Sequence, residues 1–438
     1  MTSYDVIVIG GGIAGLAAAL RLKDRGVKAV VLESDRRVGG RMTTDRREGF
    51  VIDRGVTLLG NRFGRMRAMT KRLGLSPLVH PVRFSAALEV RGGVREYRGQ
   101  NPGDVLFDGA LSKEAKAAFL RLSLDMILHC RALIHGRSDR AASIDTMGAR
   151  EYMEGLGAGG AELFETVLEP GLKGPVGGSL ERVSRAILMA TVWNMLVSGH
   201  WNLGDGVDRI PEAIAAQVDV RKGIRVLEVK KAGEGVEVRT ETGTLTARAA
   251  ILAVPGDLAS GLCPELPTWI TEPLGRTVYT RMASGHVALR RPPERQVAAY
   301  GFGRGLMGGV EMELEHLRAR GRCPEGRGMV SVFMWDTPEF RPTEADDAGL
   351  EARAVEAVRR AFPDAAGQEM FVHLIRWPAA ICQFPAGRIT EMIEVRRRLA
   401  ESDLPFDLCG DYLDGLASEG ALRTGEQAAD RTADRLAA

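Results

Sequence analysis

The opening stretch, up to Glu33, constrains the fold more than any other part of the chain. Val6–Ile9 is a short apolar run that stops at glycine, and Ile13–Leu22 repeats apolar residues at helical spacing before Gly26. Val27–Leu32, apolar except at Lys28, then closes on Glu33. Strand, tight turn, helix and strand in so short a span make one βαβ unit, which commits the chain to a parallel sheet. Gly10, Gly12 and Gly15 stand between the first strand and its helix in the order G-x-G-x-x-G. The first glycine permits the sharp turn, the second lets backbone approach a pyrophosphate, and the third lets the helix pack on the strand. N–H groups at the helix start, at Ile13 and Ala14, are then aimed at phosphate oxygens. Glu33 ends the second strand where such folds set a carboxylate against the adenosine ribose hydroxyls, a place that repels a 2′-phosphate.

A chain of 438 residues has room for two or three structural units and for a large buried cofactor. With 59 Lys and Arg against 57 Asp and Glu, the net charge of +2 gives no broad electrostatic reason to expect a nucleic-acid partner. The five cysteines, Cys130, Cys263, Cys323, Cys382 and Cys409, are scattered without CxxC spacing, which suits a reducing cytoplasm and no structural zinc. No export signal opens the chain, and no apolar stretch reaches the length of about 18 residues that a membrane span needs. A cytoplasmic location is therefore expected, with peripheral membrane contact left open. No histidine sits in H-E-x-x-H spacing and no G-x-S-x-G elbow occurs, so metal-dependent and serine hydrolysis are not expected. Without a partner, His286 and His373 read as core or surface residues.

Further along, Leu111–Ile134 is rich in Leu, Ala and charge and predicts one or two long helices in another domain. Ile224–Val238 alternates as strand, Ala249–Val254 is a buried strand closed by Pro255, and Leu408–Leu436 predicts strand, glycine turn and helix. Two further glycine clusters, Gly155–Gly160 and Gly301–Gly305, lack the strand and helix of a nucleotide loop and are expected to be ordinary loops. A separate NAD(P)H domain is thus not expected.

Directly after Glu33, SDRRVGGRMTT places Gly39, Gly40 and Arg41 in a segment that resembles the G-G-R of the flavin amine oxidase, protoporphyrinogen oxidase and carotenoid desaturase superfamily. The resemblance implies FAD rather than NAD, with Arg41 as a phosphate partner. GFVIDRGVTLLG is similar to the superfamily's next segment and implies Gly55, Val56 and Thr57 beside the isoalloxazine ring. GDGVDRIPEAIA followed by IRVLEVKK resembles the piece that brings backbone to adenine, here Val226. CGDYLDGLASEGALRTG resembles the closing FAD motif, implying Gly410 and Asp411 at the ribitol and the backbone of Gly420 and Ala421 at the flavin pyrimidine. The implied fold class is α/β: a Rossmann-like FAD-binding domain with a second α+β substrate domain that includes a helical insertion. The FAD domain is expected to be discontinuous over 1–85, 200–275 and 377–438, leaving 86–199 and 276–376 to the substrate domain.

Many amine oxidases of this superfamily hold a lysine through water near flavin N5, whereas Lys231 is the last lysine here. RWPAAICQFPAGRI resembles a protoporphyrinogen oxidase pattern and places Trp377, Gln383 and Phe384 as pocket candidates, although Trp377 and Phe384 suit a plain core equally well. The surroundings of Cys382 and Cys409 do not match a covalent flavin attachment, so FAD is expected to be non-covalent. The expected reaction is hydride transfer from a small organic molecule, conjugated or cyclic, to flavin N5, forming C=C or C=N, with oxygen or another acceptor taking the electrons. Oxidation of an amine or amino acid is the alternative, and a redox-silent FAD-binding scaffold is the alternative of another class.

Overall fold

The computed structural model describes the chain except for residues 1–3, 84, 91–92, 100, 134–137, 304–305, 308 and 416. Ile134 and Gly305, the ends of two stretches singled out above, lie outside the described residues.

The βαβ unit forms as its pattern predicts, with strand Tyr4–Ile9, helix Ile13–Asp24 and strand Ala29–Glu33. Five strands run parallel in the order Asp219–Lys222, Ala29–Glu33, Tyr4–Ile9, Gly243–Leu252 and Phe406–Leu408. The long strand Gly243–Leu252 also carries an antiparallel meander on its first half, through Gly235–Thr240 to Val226–Ala232. The alternating stretch Ile224–Val238 is therefore a hairpin rather than one strand. Side chains leave the sheet alternately, as the two-residue strand period requires. Val6, Val8 and Val31 enter one core with helix Ile13–Asp24 and the C-terminal helix Ser418–Ala437, while Ile7, Ile9, Val30 and Leu32 enter the core on the opposite face. Both faces being covered explains why these strands are apolar almost throughout. Each such side chain contributes about 1.5–3 kcal/mol by leaving water.

The second sheet has the order Glu369–Trp377, Met282–Leu289, Gly328–Trp335, Val310–Leu314, Ala299–Phe302, Ser85–Val90 and Gly93–Arg98. Helix Asp347–Ala361 covers one face of it through Leu350, Ala354, Ala357, Val358 and Ala361. A hairpin, Thr44–Arg47 with Phe50–Asp53, and a small sheet joining Leu59–Gly60 and Val79–Val82 to His200–Leu203 connect the two large sheets to their surroundings.

The expected long helix is Lys113–Leu128, opened by Ser112, whose hydroxyl accepts from Ala115 N at 3.0 Å. Three of the glycines expected in ordinary loops do something else. Gly159 and Gly160 lie in helix Ala158–Leu163, where a Cβ on Gly159 would stand 2.0 Å from Ala115 N and one on Gly160 1.8 Å from Met153 O. Gly301 is in a strand, 2.1 Å by the same measure from Pro170 O. These glycines serve close backbone packing, a use that local sequence does not distinguish from a turn.

Candidate functional site

The turn after the first strand is built by glycine. Gly10 has φ +108° and a Cβ there would meet Ala253 O at 2.6 Å, while a Cβ on Gly15 would fall 2.0 Å from Gly10 O. Gly12 differs, because a Cβ there meets nothing within 4 Å. The first and third glycines are therefore demanded by the protein's own packing, and the second opens onto free space at the helix N-terminus. The first helical bond is Leu16 N to Gly12 O. The N–H groups of Ile13, Ala14 and Gly15 are thus first-turn donors that an α-helix leaves without intrahelical acceptors. No acidic residue in that turn offsets its positive end. A phosphate-sized anion fits this cradle.

Gly39 and Gly40 lie beside it. Gly39 N donates to Gly11 O at 2.8 Å, Gly12 and Gly39 form a parallel bridge, and φ is +109° and +56° at the two glycines. Arg41 follows, and its backbone carbonyl accepts from Val56 N at 3.0 Å. A Cβ on Gly55 would stand 2.6 Å from that same Arg41 oxygen, so Gly55–Thr57 is pressed against the glycine–arginine segment. Glu33 braces the turn: Oε2 accepts from Gly11 N at 2.6 Å and Oε1 from Asp35 N at 2.7 Å. Ile224 N donates to Glu33 O at 2.8 Å, which brings Val226 to the same end of the sheet. Its register is antiparallel to Thr240.

Arg41 and Asp411 form a two-pronged pair, Nη1 to Oδ2 at 2.8 Å and Nη2 to Oδ1 at 2.9 Å, and Nη1 also reaches Ala380 O at 2.9 Å. Burial opposes the Arg41 charge, but Asp411 more than offsets it and holds the guanidinium above its ordinary range. Tyr279, which sequence reasoning missed, completes this cluster. Its hydroxyl donates to Asp411 Oδ1 at 3.4 Å and accepts from Gly256 N at 3.3 Å, and its ring lies 5.4 Å from the Arg41 guanidinium. Burial raises the phenol well above its ordinary pKa, so it stays a neutral donor. Gly410 N donates to Thr424 Oγ1 at 3.0 Å, tying the turn to the C-terminal helix. The N–H groups of Gly420 and Ala421 both donate to Ala417 O, at 3.0 and 3.3 Å. The donors left at that helix start are therefore those of the residues just before Gly420.

Of the pocket candidates, Trp377 donates from Nε1 to Arg54 O at 2.7 Å, next to Gly55. Gln383 is buried, its Nε2 bonded to Val176 O at 3.0 Å and its Oε1 without a hydrogen-bond partner among the described residues. Phe384 is wholly buried in the main core, where its backbone oxygen accepts from Ser184 N at 2.8 Å. The structure thus sets Trp377 beside the Gly55 segment and Phe384 in packing.

Sequence reasoning also missed a buried charge network under Gly55–Thr57. Arg322 is fully buried and meets Asp53 at 2.8 Å and Glu315 at 3.0 Å. It also donates to Asn202 Oδ1 at 3.2 Å and Val51 O at 3.2 Å. Asn202 in turn donates through Nδ2 to Asp53 and to Thr57 O. Burial pushes the Glu315 carboxyl up to about 7 although Arg322 pulls it down. Asp53 lies inside a motif already quoted, yet no spacing pointed to partners so far along the chain.

Three comparisons bear on this arrangement. The chain is similar to polyamine oxidase 2 of Arabidopsis thaliana, 29% identical over 299 residues that cover 62% of this chain and 55% of that one. It thus spans about half the length of that relative. It is similar at 22% identity to coproporphyrinogen III oxidase of Bacillus subtilis (strain 168) over 95% of this chain and 94% of the other. Its fold matches that of cyclohexylamine oxidase from Brevibacterium oxydans IH-35A with a TM-score of 0.76 at 18% identity, covering 100% of both chains. The family model for flavin containing amine oxidoreductases matches residues 13–433, and the chain belongs to that family.

Proposed function

We propose that this protein holds one FAD non-covalently and oxidises a small conjugated or cyclic molecule. The observation that carries the reading is the convergence of Gly10–Gly15, Gly39–Arg41, Gly55–Thr57 and Asp411 in one connected cluster, with the side of Gly12 left open. The open side of Gly12 and the unpaired first-turn donors fit a diphosphate, and Glu33 with Val226 fits adenosine. Hydride removal from a substrate C–H bond, giving C=C or C=N, is the chemistry FAD supplies when bound, with oxygen or another acceptor restoring it. Arg41 and Asp411 would hold the diphosphate and ribitol, and the neutral Tyr279 hydroxyl keeps Asp411 oriented. Gly55–Thr57, backed by Trp377, would set the ring's position. Cys382 and Cys409 are both wholly buried, and burial raises both thiols above their ordinary range. A thiol kept protonated is a poor nucleophile, which supports non-covalent binding.

In this reading the FAD-binding part comprises 1–85, 200–275 and 377–438, and 86–199 with 276–376 frames the substrate. The near full-length likeness to a coproporphyrinogen oxidase and the absence of any lysine after Lys231 favour a porphyrinogen-like substrate. The likeness to polyamine oxidases favours an amine as the second reading. Turnover in air with peroxide detection tests the order, using coproporphyrinogen III and putrescine. Flavin bleaching and peroxide with the porphyrinogen support the first reading, and the same with putrescine alone reverses it. A folded, colourless protein that takes up no FAD would remove both.

A further inference from the structure

Arg322, Asp53 and Asn202 are all fully buried. A buried ion pair is often no better for stability than apolar residues of the same volume, so stability alone does not account for this one. Its bonds show what it holds in place. Arg322 ties two strands, donating to Val51 O on Phe50–Asp53 and to Asn202 Oδ1 and Leu203 O on His200–Leu203, each at 3.2 Å. Asp53 Oδ2 meets Arg322 Nη2 at 2.8 Å and accepts from Asn202 Nδ2 at 3.2 Å. The second bond of Asn202 Nδ2 goes to Thr57 O. The amide thus has one satisfied orientation: its oxygen faces a guanidinium, and its nitrogen faces a carboxylate and a carbonyl.

Thr57 O is therefore pinned by one side chain, and that fixes the next donor along the chain. The peptide is trans, so the Leu58 N–H points the opposite way from Thr57 O. The strand register agrees. Leu59 pairs with Trp201, and Asn61 N donates to Gly199 O at 3.0 Å, so residues 59 and 61 turn their backbone groups toward His200–Leu203 and Leu58 turns its own away. Leu59–Gly60 is the edge of its small sheet, and Leu58 N has no acceptor among the described residues. This donor directly follows Gly55–Thr57, the segment pressed against Arg41 O. We propose that Asn202 is a positioning residue, which through Thr57 O aims the Leu58 N–H at the flavin ring, while Arg322 and Asp53 hold Asn202 in place. The inference rests on the FAD reading above. A fixed N–H at the ring would stabilise negative charge on its reduced form.

The test compares Asn202→Ala with the parent and with Ser112→Ala, which removes a helix cap on another element. Each protein is stripped of flavin, titrated with FAD by fluorescence, and its midpoint potential after reloading is read against a reference dye. Asn202→Ala is expected to bind FAD roughly three- to tenfold more weakly, the net worth of one hydrogen bond, and to have a lower potential. Ser112→Ala is expected to lower the thermal midpoint and leave both flavin readings at the parent's values. Asn202→Ser keeps one donor for two acceptors, so it is expected to fall between, and it carries the test if the alanine variant does not fold. A potential equal to the parent's in the Asn202 variants, whatever their thermal midpoint, makes the residue merely structural and overturns the proposal while leaving the FAD reading standing. A folded parent that takes up no FAD removes that reading and this inference with it.

Discussion

Arg322→Met removes the cation that joins Asp53 to Glu315 and leaves both carboxylates in a dry interior. Breaking a buried pair from one side costs about 3–5 kcal/mol. The lower end applies here, because neither acid is stranded. Asp53 still accepts from Thr44 Oγ1 at 2.8 Å and Val207 N at 3.1 Å, and Glu315 still meets Arg318 Nη1 at 2.7 Å and Ser331 Oγ at 2.5 Å. A loss of about 3 kcal/mol at pH 8.5 is expected, read from the midpoint of urea unfolding followed by tryptophan fluorescence. The pH dependence has a definite sign. The folded-state pKa of Glu315, about 7, lies above the ordinary carboxyl value, so its contribution to stability is complete in acid and is lost as pH rises through about 7. Without Arg322 the same carboxyl is pushed higher, so the variant goes on losing stability after the parent has levelled off. The gap between the two proteins should therefore be wider at pH 8.5 than at pH 5.5. A gap below about 1 kcal/mol at pH 8.5, or one that does not widen with pH, would refute the account of a charge-bearing buried network.

The glycine turn predicts opposite failures at two neighbouring positions. Gly12→Val should leave the fold intact and abolish the flavin absorbance bands, because a Cβ there meets no protein atom within 4 Å and the side chain enters the open space at the helix start, whereas Gly15→Ala should cost stability even before FAD is added. Asp411→Asn removes one charge of the two-pronged pair with Arg41 and should weaken FAD uptake roughly ten-fold or more, checked by titrating protein stripped of flavin and following its fluorescence. Denaturation followed by ultrafiltration should release all flavin into the filtrate, from the parent and from Cys382→Ala alike, and retained yellow colour in the parent would overturn non-covalent binding.

The parts that the sequence makes legible are those where one short segment carries the motif and sets its own backbone. Gly15 is required by the oxygen of Gly10, five residues before it, so there the motif and the geometry are the same information, whereas Gly10 is pressed against Ala253 O far along the chain. The strand assignments succeed for a related reason: a sheet covered on both faces writes itself as continuous apolar runs. Where a pattern has two physical causes, the reading fails. Gly159, Gly160 and Gly301 look like turn formers, but they mark places where two backbones touch, and for Gly159 and Gly301 the second backbone is distant in sequence. The alternation over Ile224–Val238 likewise hides a hairpin, because β-type residues flank the turn between Ala232 and Gly235 on both sides.

The proposed cofactor site and the proposed substrate frame differ in the same respect. Glu33 and Gly11 are 22 residues apart and belong to one motif, whereas Arg41 and Asp411 are 370 apart, Trp377 and Arg54 323 apart, and Gln383 and Val176 207 apart. A pair across hundreds of residues leaves no periodicity, so only a resemblance or a structure can join it. Tyr279 shows the consequence most clearly. Nothing around it in the sequence distinguishes it from a core tyrosine, yet its hydroxyl stands on Asp411 and its ring faces Arg41. Chemistry on a shared scaffold is expected to be set by such residues, since the phosphate-binding turn is common to many reactions while the groups facing a substrate are not. For this chain the deciding side chains are therefore to be sought along the strands Met282–Leu289 and Glu369–Trp377 and in the segment that ends at Gln383, which are tied to the Arg41–Asp411 cluster and to Arg54 through Tyr279 and Trp377.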